Sequence, residues 1–188
     1  IHNLNYKVLG LDKEWTGGNM SQGPGGGMKL NLLKEELKDY KDEDIILFSD
    51  SYDVIFLSYE EEIYDKYLGF NTNMLFSAEK ACWPDVNMKL HFNSDSPYRY
   101  LNSGGFMGNV KSIKMLINCE FADTYDDQLL MQKNYVKYKD ILNIKLDTRC
   151  NIFQTSSNNT NDIDILYGEN RIRNNMFNTI PCHYHGNG

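Results

Sequence analysis

Apolar positions along the chain recur in two periods, and their alternation sets the expected order of elements. Residues 6–9, from Tyr6 to Leu9, form a short apolar-rich run that reads as a strand. Residues 17–27 are crowded with glycine, the signature of a mobile loop. From Met28 the spacing changes. Leu30, Leu33, Leu37 and Tyr40 recur at helical intervals with Lys34, Glu35 and Lys38 between them, which predicts an amphipathic helix. After a polar turn at residues 41–44, Ile45-Ile46-Leu47-Phe48 is a continuous apolar run suited to a strand buried on both faces. Ser58 followed by Glu61 is a capping-box pattern opening a helix through Ile63, Tyr64 and Tyr67. Met74-Leu75-Phe76 is a further strand-like run. Residues 111–120 show helical spacing through Ile113, Leu116 and Ile117, and residues 126–135 predict another helix. Between Ile163 and Ile172, Gly168-Glu169-Asn170 separates two β-prone segments, which predicts a hairpin. This order argues for an α/β fold with a mostly parallel central sheet flanked by helices. No repeat and no second domain is visible, so residues 1–188 are expected to form a single domain.

Composition narrows the class. Hydrophobic residues make up 41% and charged residues 24% of the 188, an ordinary globular balance that excludes a disordered tail, a collagen-like segment or a coiled coil. No apolar run reaches the roughly 20 residues needed to span a bilayer. The net charge of −7 leaves no basic footprint for nucleic acid, so phosphate groups would need a metal or local cations. Cys82, Cys119, Cys150 and Cys182 form no Cys-x-x-Cys pair and are expected to be free and buried, with one bridge open in a secretory compartment. Two sequons, Asn19-Met20-Ser21 and Asn158-Asn159-Thr160, matter only in such a compartment. The chain starts at Ile1 and is expected to be a piece of something longer.

Five short stretches can carry chemistry. Asp50-Ser51-Tyr52-Asp53 follows the apolar strand, at the end where parallel sheets bind ligands. Two carboxylates there converge if the chain turns after Asp50, and hard divalent cations prefer such oxygens. The alternative is a plain turn or cap. In His183-Tyr184-His185-Gly186-Asn187-Gly188, the two histidines would share a face, and Gly186 permits close approach to a ligand. Two carboxylates and an imidazole suit Mn²⁺ among other first-row metals. In Asn102-Ser103-Gly104-Gly105-Phe106, the glycines suggest close approach of a ligand, with Asn102 and Ser103 as hydrogen-bonding groups; the alternative is a β-bulge. Asp126-Asp127-Gln128 opens a helix, where acidic residues also serve the dipole. Trp83, in Cys82-Trp83-Pro84, either stacks on a sugar or nucleotide or packs in the core. Lys29, after the glycine loop, is a local cation for a phosphate group.

Together these stretches carry a resemblance. Leu9-Gly10-Leu11 with Glu14-Trp15-x-Gly17-Gly18, Gly25-Gly26-Gly27-x-Lys29, Asp50-Ser51-Tyr52-Asp53-Val54-Ile55, Leu75-Phe76-Ser77-Ala78-Glu79 and Cys82-Trp83-Pro84 run in order. Leu101-Asn102-Ser103-Gly104-Gly105-Phe106, Asp126-Asp127-Gln128-Leu129, Ile152-Phe153-Gln154 and His185-Gly186-Asn187-Gly188 follow. The chain resembles the glycosyltransferase domain of the procollagen lysyl hydroxylase family across nearly its whole length. The resemblance implies a GT-A type, Rossmann-like fold and a UDP-sugar donor, UDP-glucose or UDP-galactose. It implies Mn²⁺ held by Asp50, Asp53 and His185, with Tyr52 stacked near the uracil. It places Trp83, Asp126 and Asp127 in the sugar-handling cleft, and it implies retention of configuration for glucosyl transfer. The acceptor would be hydroxylysine or galactosyl-hydroxylysine on a collagen-like chain. The compartment would be the endoplasmic reticulum lumen, or a host cell or virion for a viral member; the abundant asparagine fits an AT-rich genome such as a large virus or a protist. The family's first strand is expected to precede Ile1 and further donor-side residues to follow Gly188, and the aspartate run before Gln128 is shorter than in animal members. Two rival readings stand beside this one: a UDP-sugar-binding module without turnover, and a metal-dependent phosphohydrolase.

Overall fold

The computed structural model describes residues 4–19, 23–156 and 160–187. Both sequons reach into residues outside that set, as does Gly188 of the C-terminal motif. The central sheet holds four strands in the order β1-β4-β3-β5, namely β1 Ile45–Ser49, β4 Tyr100–Asn109, β3 Met74–Glu79 and β5 Ile144–Leu146. β4 runs antiparallel to both β1 and β3, and β5 runs parallel to β3. The sheet is therefore mixed, not mostly parallel as the alternating pattern suggested. β1, β3 and β5 share one direction, and the long β4 is inserted against it. Hydropathy alone does not report strand direction, which explains the difference.

Burial alternates across the sheet. Met74 and Phe76 of β3 face one cluster with Leu30, Leu33, Phe106, Ile113 and Met131, built on helices α1 Gly27–Glu36, α3 Val110–Leu116 and α4 Asp127–Tyr138. Leu75 and Met107 face the other cluster, with Ile63 and Tyr67 of α2 Glu60–Gly69 and with Ile152, Phe153 and Cys182. A second sheet lies on this side, with order β2-β9-β6: β2 Val54–Phe56, β9 His183–His185 and β6 Phe153–Thr155. The strands buried on both faces are β3 and β4, whereas β1 sits at the sheet edge and is only half-buried along its length. The apolar run of residues 6–9 is not a strand: Tyr6 and Val8 are exposed and nothing pairs with them among the described strands.

The capping box also resolves differently. The N-cap of α2 is Tyr59, with no side-chain cap bond, and the Ser58 hydroxyl instead donates to the carboxylate of Glu62. Glu62 is occupied from the far side by Arg171, which reaches both of its oxygens at 2.9 and 2.8 Å. Arg171 opens β8 Arg171–Asn174, which pairs antiparallel with β7 Ile163–Leu166 in the expected hairpin. All four cysteines are free thiols, and Cys119 alone is not fully buried. Among the described residues no helix is long and apolar enough to cross a membrane.

Candidate active site

The site forms where β1 ends, β4 breaks register and β9 crosses behind them. β3 and β4 are in step through Phe76 opposite Phe106, then resume at Ser77 opposite Asn102. Ser103, Gly104 and Gly105 are thus skipped by β3, so the bulge and the glycine motif coincide. Both glycines are roofed by side chains. A Cβ on Gly104 would lie 2.3 Å from Cε1 of His185, and one on Gly105 would lie 3.0 Å from Cδ1 of Phe153 and 3.5 Å from Cε1 of His183. What approaches the backbone here is a pair of imidazoles and a phenyl ring: a Cβ at Gly104 would collide with the His185 ring, and one at Gly105 would require the Phe153 ring to give by a few tenths of an ångström.

Asp50 leaves β1 with its N–H donating to the Gly104 carbonyl at 2.9 Å. Its Oδ1 accepts from Lys29 Nζ at 2.8 Å. Lys29 also reaches Asp127 Oδ2 at 3.1 Å. One ammonium thus sits between two carboxylates from helices and strands far apart in sequence. The contact depends on the glycine loop: Gly26 bridges Asp126, Gly27 N–H donates to the Tyr125 carbonyl, and the Asp127 N–H donates to the Gly25 carbonyl at 3.0 Å. Gly26 has φ 92°, and a Cβ there would meet Asp127 Oδ1 at 2.3 Å, so glycine is required on both counts. Burial opposes the charge on Lys29, but Asp127 and Asp50 outweigh it and hold its pKa above the usual range. Burial pushes the Asp127 carboxyl up, Lys29 pulls it back, and Asp50 adds to the rise.

The two helix-opening aspartates divide. Asp126 caps α4, its Oδ1 accepting from the Leu129 N–H at 2.7 Å. Asp127 is 3% exposed and also accepts from the Ser103 hydroxyl at 2.8 Å. The next residue, Gln128, accepts from the Ser103 N–H and donates to Glu79 at 2.7 Å and to the Trp83 carbonyl at 2.9 Å. Gln132 donates to the same carbonyl at 2.8 Å, so the Trp83 backbone is pinned while the residue stays 59% exposed. Glu79, a buried carboxylate at the end of β3, also accepts from Asn187 at 2.9 Å. Glu79, Gln128 and Asn187 were not singled out as site residues by the sequence pattern; an acidic residue closing a mainly apolar strand was the available signal. Tyr52 is fully exposed, and Gly186 donates its N–H to the Asp53 carbonyl at 2.7 Å, tying β9 to the turn after Asp50.

The fit of a divalent cation is tested by His185. Its Nδ1 lies 3.2 Å from Asn102 Oδ1, and that oxygen already accepts from the Gly104 N–H at 3.1 Å. The oxygen is therefore an acceptor and Nδ1 carries the proton. Nε2 then turns its lone pair toward Asp53 Oδ2, 3.2 Å away. Two acceptors facing each other call for positive charge between them, a proton or a metal ion. Asp50 lies beside the same ring: a Cβ on Gly104 would be 2.9 Å from its Oδ2 and 2.7 Å from His185 Nδ1. The donor chemistry of Asp50, Asp53 and His185 fits a first-row cation. The residues rest, however, as a hydrogen-bonded set, and among the described residues no three His, Cys, Asp or Glu side chains are grouped closely enough to hold an ion. His183, two residues earlier on β9, is fully buried, and burial lowers its pKa to about 3.

These features define a mixed α/β domain with a polar site at the strand ends, built from two carboxylates on one lysine and an imidazole on a third carboxylate. Residues 1–188 match the PLOD GT domain family, and the chain belongs to that family of glycosyltransferase domains. It is 39% identical over its whole length to a procollagen-lysine,2-oxoglutarate 5-dioxygenase of Drosophila melanogaster, covering 27% of that protein. It is equally 39% identical to an uncharacterized protein of Acanthamoeba polyphaga mimivirus, covering 41% of it. Over 99% of its length it is 36% identical to the multifunctional procollagen lysine hydroxylase and glycosyltransferase LH3 of Rattus norvegicus, covering 26% of that protein. The chain thus spans between about a quarter and two-fifths of the length of these relatives.

Proposed function

We propose that this domain is a metal-dependent hexosyltransferase of GT-A type. It moves glucose or galactose from a UDP-sugar to hydroxylysine or galactosyl-hydroxylysine of a collagen-like chain. The observation that carries the reading is the pairing of Lys29 with Asp50 and Asp127 beside the His185–Asp53 contact. It puts cationic and anionic groups next to each other at one site, as charge separation in glycosyl transfer requires. Asp50, Asp53 and His185 would hold the metal, Mn²⁺ by preference. When bound, a divalent cation neutralises charge that grows on the leaving diphosphate. Lys29 adds a second positive charge on the same side. Tyr52, with nothing packed on its ring, offers a face to the uracil. Asn102, Ser103, Gly104 and Gly186 shape the backbone around the nucleotide. On the sugar side, Trp83 offers an indole face, Asp126 fixes the start of α4, and the Asp127 carboxylate either supports an oxocarbenium-like centre or binds sugar hydroxyls.

A UDP-sugar-binding module without turnover is the alternative, and the near-complete burial of Asp127 favours it. Two measurements separate the readings. Calorimetry of UDP with Mn²⁺ on the wild type and on Asp53→Ala tests the metal, and affinity unchanged by the substitution overturns it. Transfer from UDP-glucose and UDP-galactose to hydroxylysyl and galactosyl-hydroxylysyl peptides tests the activity. UDP binding without transfer or sugar release leaves the binding module; cleavage of the diphosphate to UMP and sugar 1-phosphate, with no sugar transferred or released, leaves the hydrolase.

A further inference from the structure

The first histidine of β9, His183, is not among the proposed metal ligands, yet its contacts lead to Asp50. Ser49 closes β1, and its hydroxyl donates to the Asp50 carbonyl at 2.7 Å. That proton is committed, so the His183 Nε2 at 2.8 Å from the same oxygen must be the donor. The opposite nitrogen, Nδ1, is buried without a hydrogen-bond partner among the described residues. The ring stands between Phe56 and Phe153, both edge-on, with centroids 5.0 and 5.4 Å away. This apolar box offers nothing to a second N–H, so the ring is held neutral, in the Nε2–H tautomer. The Asp50 N–H donates to the Gly104 carbonyl, so its exchange reports how firmly the Asp50 backbone is held. Both peptide groups of Asp50 are therefore clamped, one by the β4 bulge and one by the chain His183 Nε2–H to Ser49 O–H to Asp50 carbonyl.

We propose that His183 is a positioning residue: through Ser49 it fixes the backbone of Asp50 and so aims the carboxylate that would hold the metal and the diphosphate. An orphaned Nδ1 is a cost that packing alone does not require, since phenylalanine would fill an aromatic box without it. The Nε2 hydrogen bond is what the histidine adds. The proposal rests on the metal-dependent reading above, so its test includes a readout independent of metal.

The experiment compares the wild type with Ser49→Ala, His183→Phe, His183→Gln and the Ser49→Ala/His183→Phe double variant. Glutamine keeps an N–H at about the reach of Nε2. Two quantities are measured: hydrogen exchange at the Asp50 amide, and UDP affinity with Mn²⁺ and with chelator. Ser49→Ala and His183→Phe should each speed exchange about tenfold and weaken Mn²⁺-dependent UDP affinity about tenfold, the size of one lost hydrogen bond. The double variant should be no worse than either single one, because both break the same chain. His183→Gln should restore most of both. Wild-type exchange in Ser49→Ala overturns the proposal, as does a His183→Gln as impaired as His183→Phe. Ser49→Ala removes one oxygen from a half-buried edge strand and keeps the test decisive if His183→Phe does not fold. UDP affinity indifferent to Mn²⁺ in the wild type would overturn the metal reading alone, and exchange at Asp50 would still decide the relay.

Discussion

Lys29 sets the charge balance of the site. Removing it leaves two carboxylates without the ammonium that pairs with both, Asp127 almost wholly buried. Lys29→Met is expected to destabilise the fold by about 3 kcal/mol at neutral pH, the usual cost of stripping one partner from a buried pair. The pH dependence has a definite sign. Burial already holds the Asp127 pKa above its unfolded value, and loss of the lysine raises it further. A carboxyl with a raised folded pKa contributes stability that is fully present below its unfolded pKa and lost as pH rises through the folded one. The deficit of Lys29→Met should therefore shrink as the pH is lowered from neutral toward the carboxylate range, which denaturant melts across that range would show. A deficit constant with pH would mean that packing of the lysine stem, not charge, is what was lost. Asp127→Asn removes the charge and keeps the shape. It is expected to leave UDP affinity within about twofold and to lower transfer by at least about tenfold, a loss confined to the transition state. Transfer at the wild-type rate would reduce Asp127 to a partner for Lys29 and Ser103.

At the scale of elements, the bulge in β4 joins the two halves of the site. It sends Ser103 toward α4 and leaves Gly104 under the His185 ring. The two glycines differ in what they face, so their alanine variants should differ. At Gly104 a methyl group would sit 2.3 Å from an imidazole carbon that carries a proposed ligand, whereas at Gly105 the nearest atom is a phenyl carbon at 3.0 Å. Gly104→Ala should abolish Mn²⁺-dependent UDP binding, and Gly105→Ala should weaken it less while costing stability; calorimetry and thermal melts on both would decide. The elements themselves were largely legible. Helical spacing located α1, α3 and α4, and the Gly168-Glu169-Asn170 signal located the β7–β8 hairpin. The Asn-Ser-Gly-Gly stretch read both as a ligand approach and as a bulge, and the bulge is there, with side chains of β9 as the approaching groups. What was not legible is non-local. The Lys29–Asp127 contact depends on Gly26 bridging Asp126, a pairing between chain segments with no periodicity in common. Strand direction and the edge position of β1 depend on where β4 inserts. Ser58 looked like a helix cap because its spacing to Glu61 is right, but the Glu62 carboxylate competed for its hydroxyl and won.

Across the whole molecule, the site is drawn from every part of the chain: Lys29 from α1, Asp50 and Asp53 from the turn between β1 and β2, Asp127 from α4 and His185 from β9. A ligand that touches all of these closes long loops at once and binds only the folded state, so under the proposed function its affinity must appear as stability. At a hundredfold excess over Kd the gain is about 2.7 kcal/mol. For a domain of 188 residues each kcal/mol moves Tm by about 2–4 °C. Saturating UDP with Mn²⁺ should therefore raise Tm by roughly 5–10 °C. Each component alone should do much less, because the diphosphate and the Asp50–Asp53–His185 set need the cation between them, and the net charge of −7 opposes a bare nucleotide. Thermal melts with UDP, with Mn²⁺, with both, and with both in Asp53→Ala give four numbers. The expected pattern is a large shift only for both ligands on the wild type. Equal shifts with UDP alone would remove the metal and leave Lys29 as the phosphate's counter-charge in the site. No shift with any combination would remove the nucleotide-sugar donor itself.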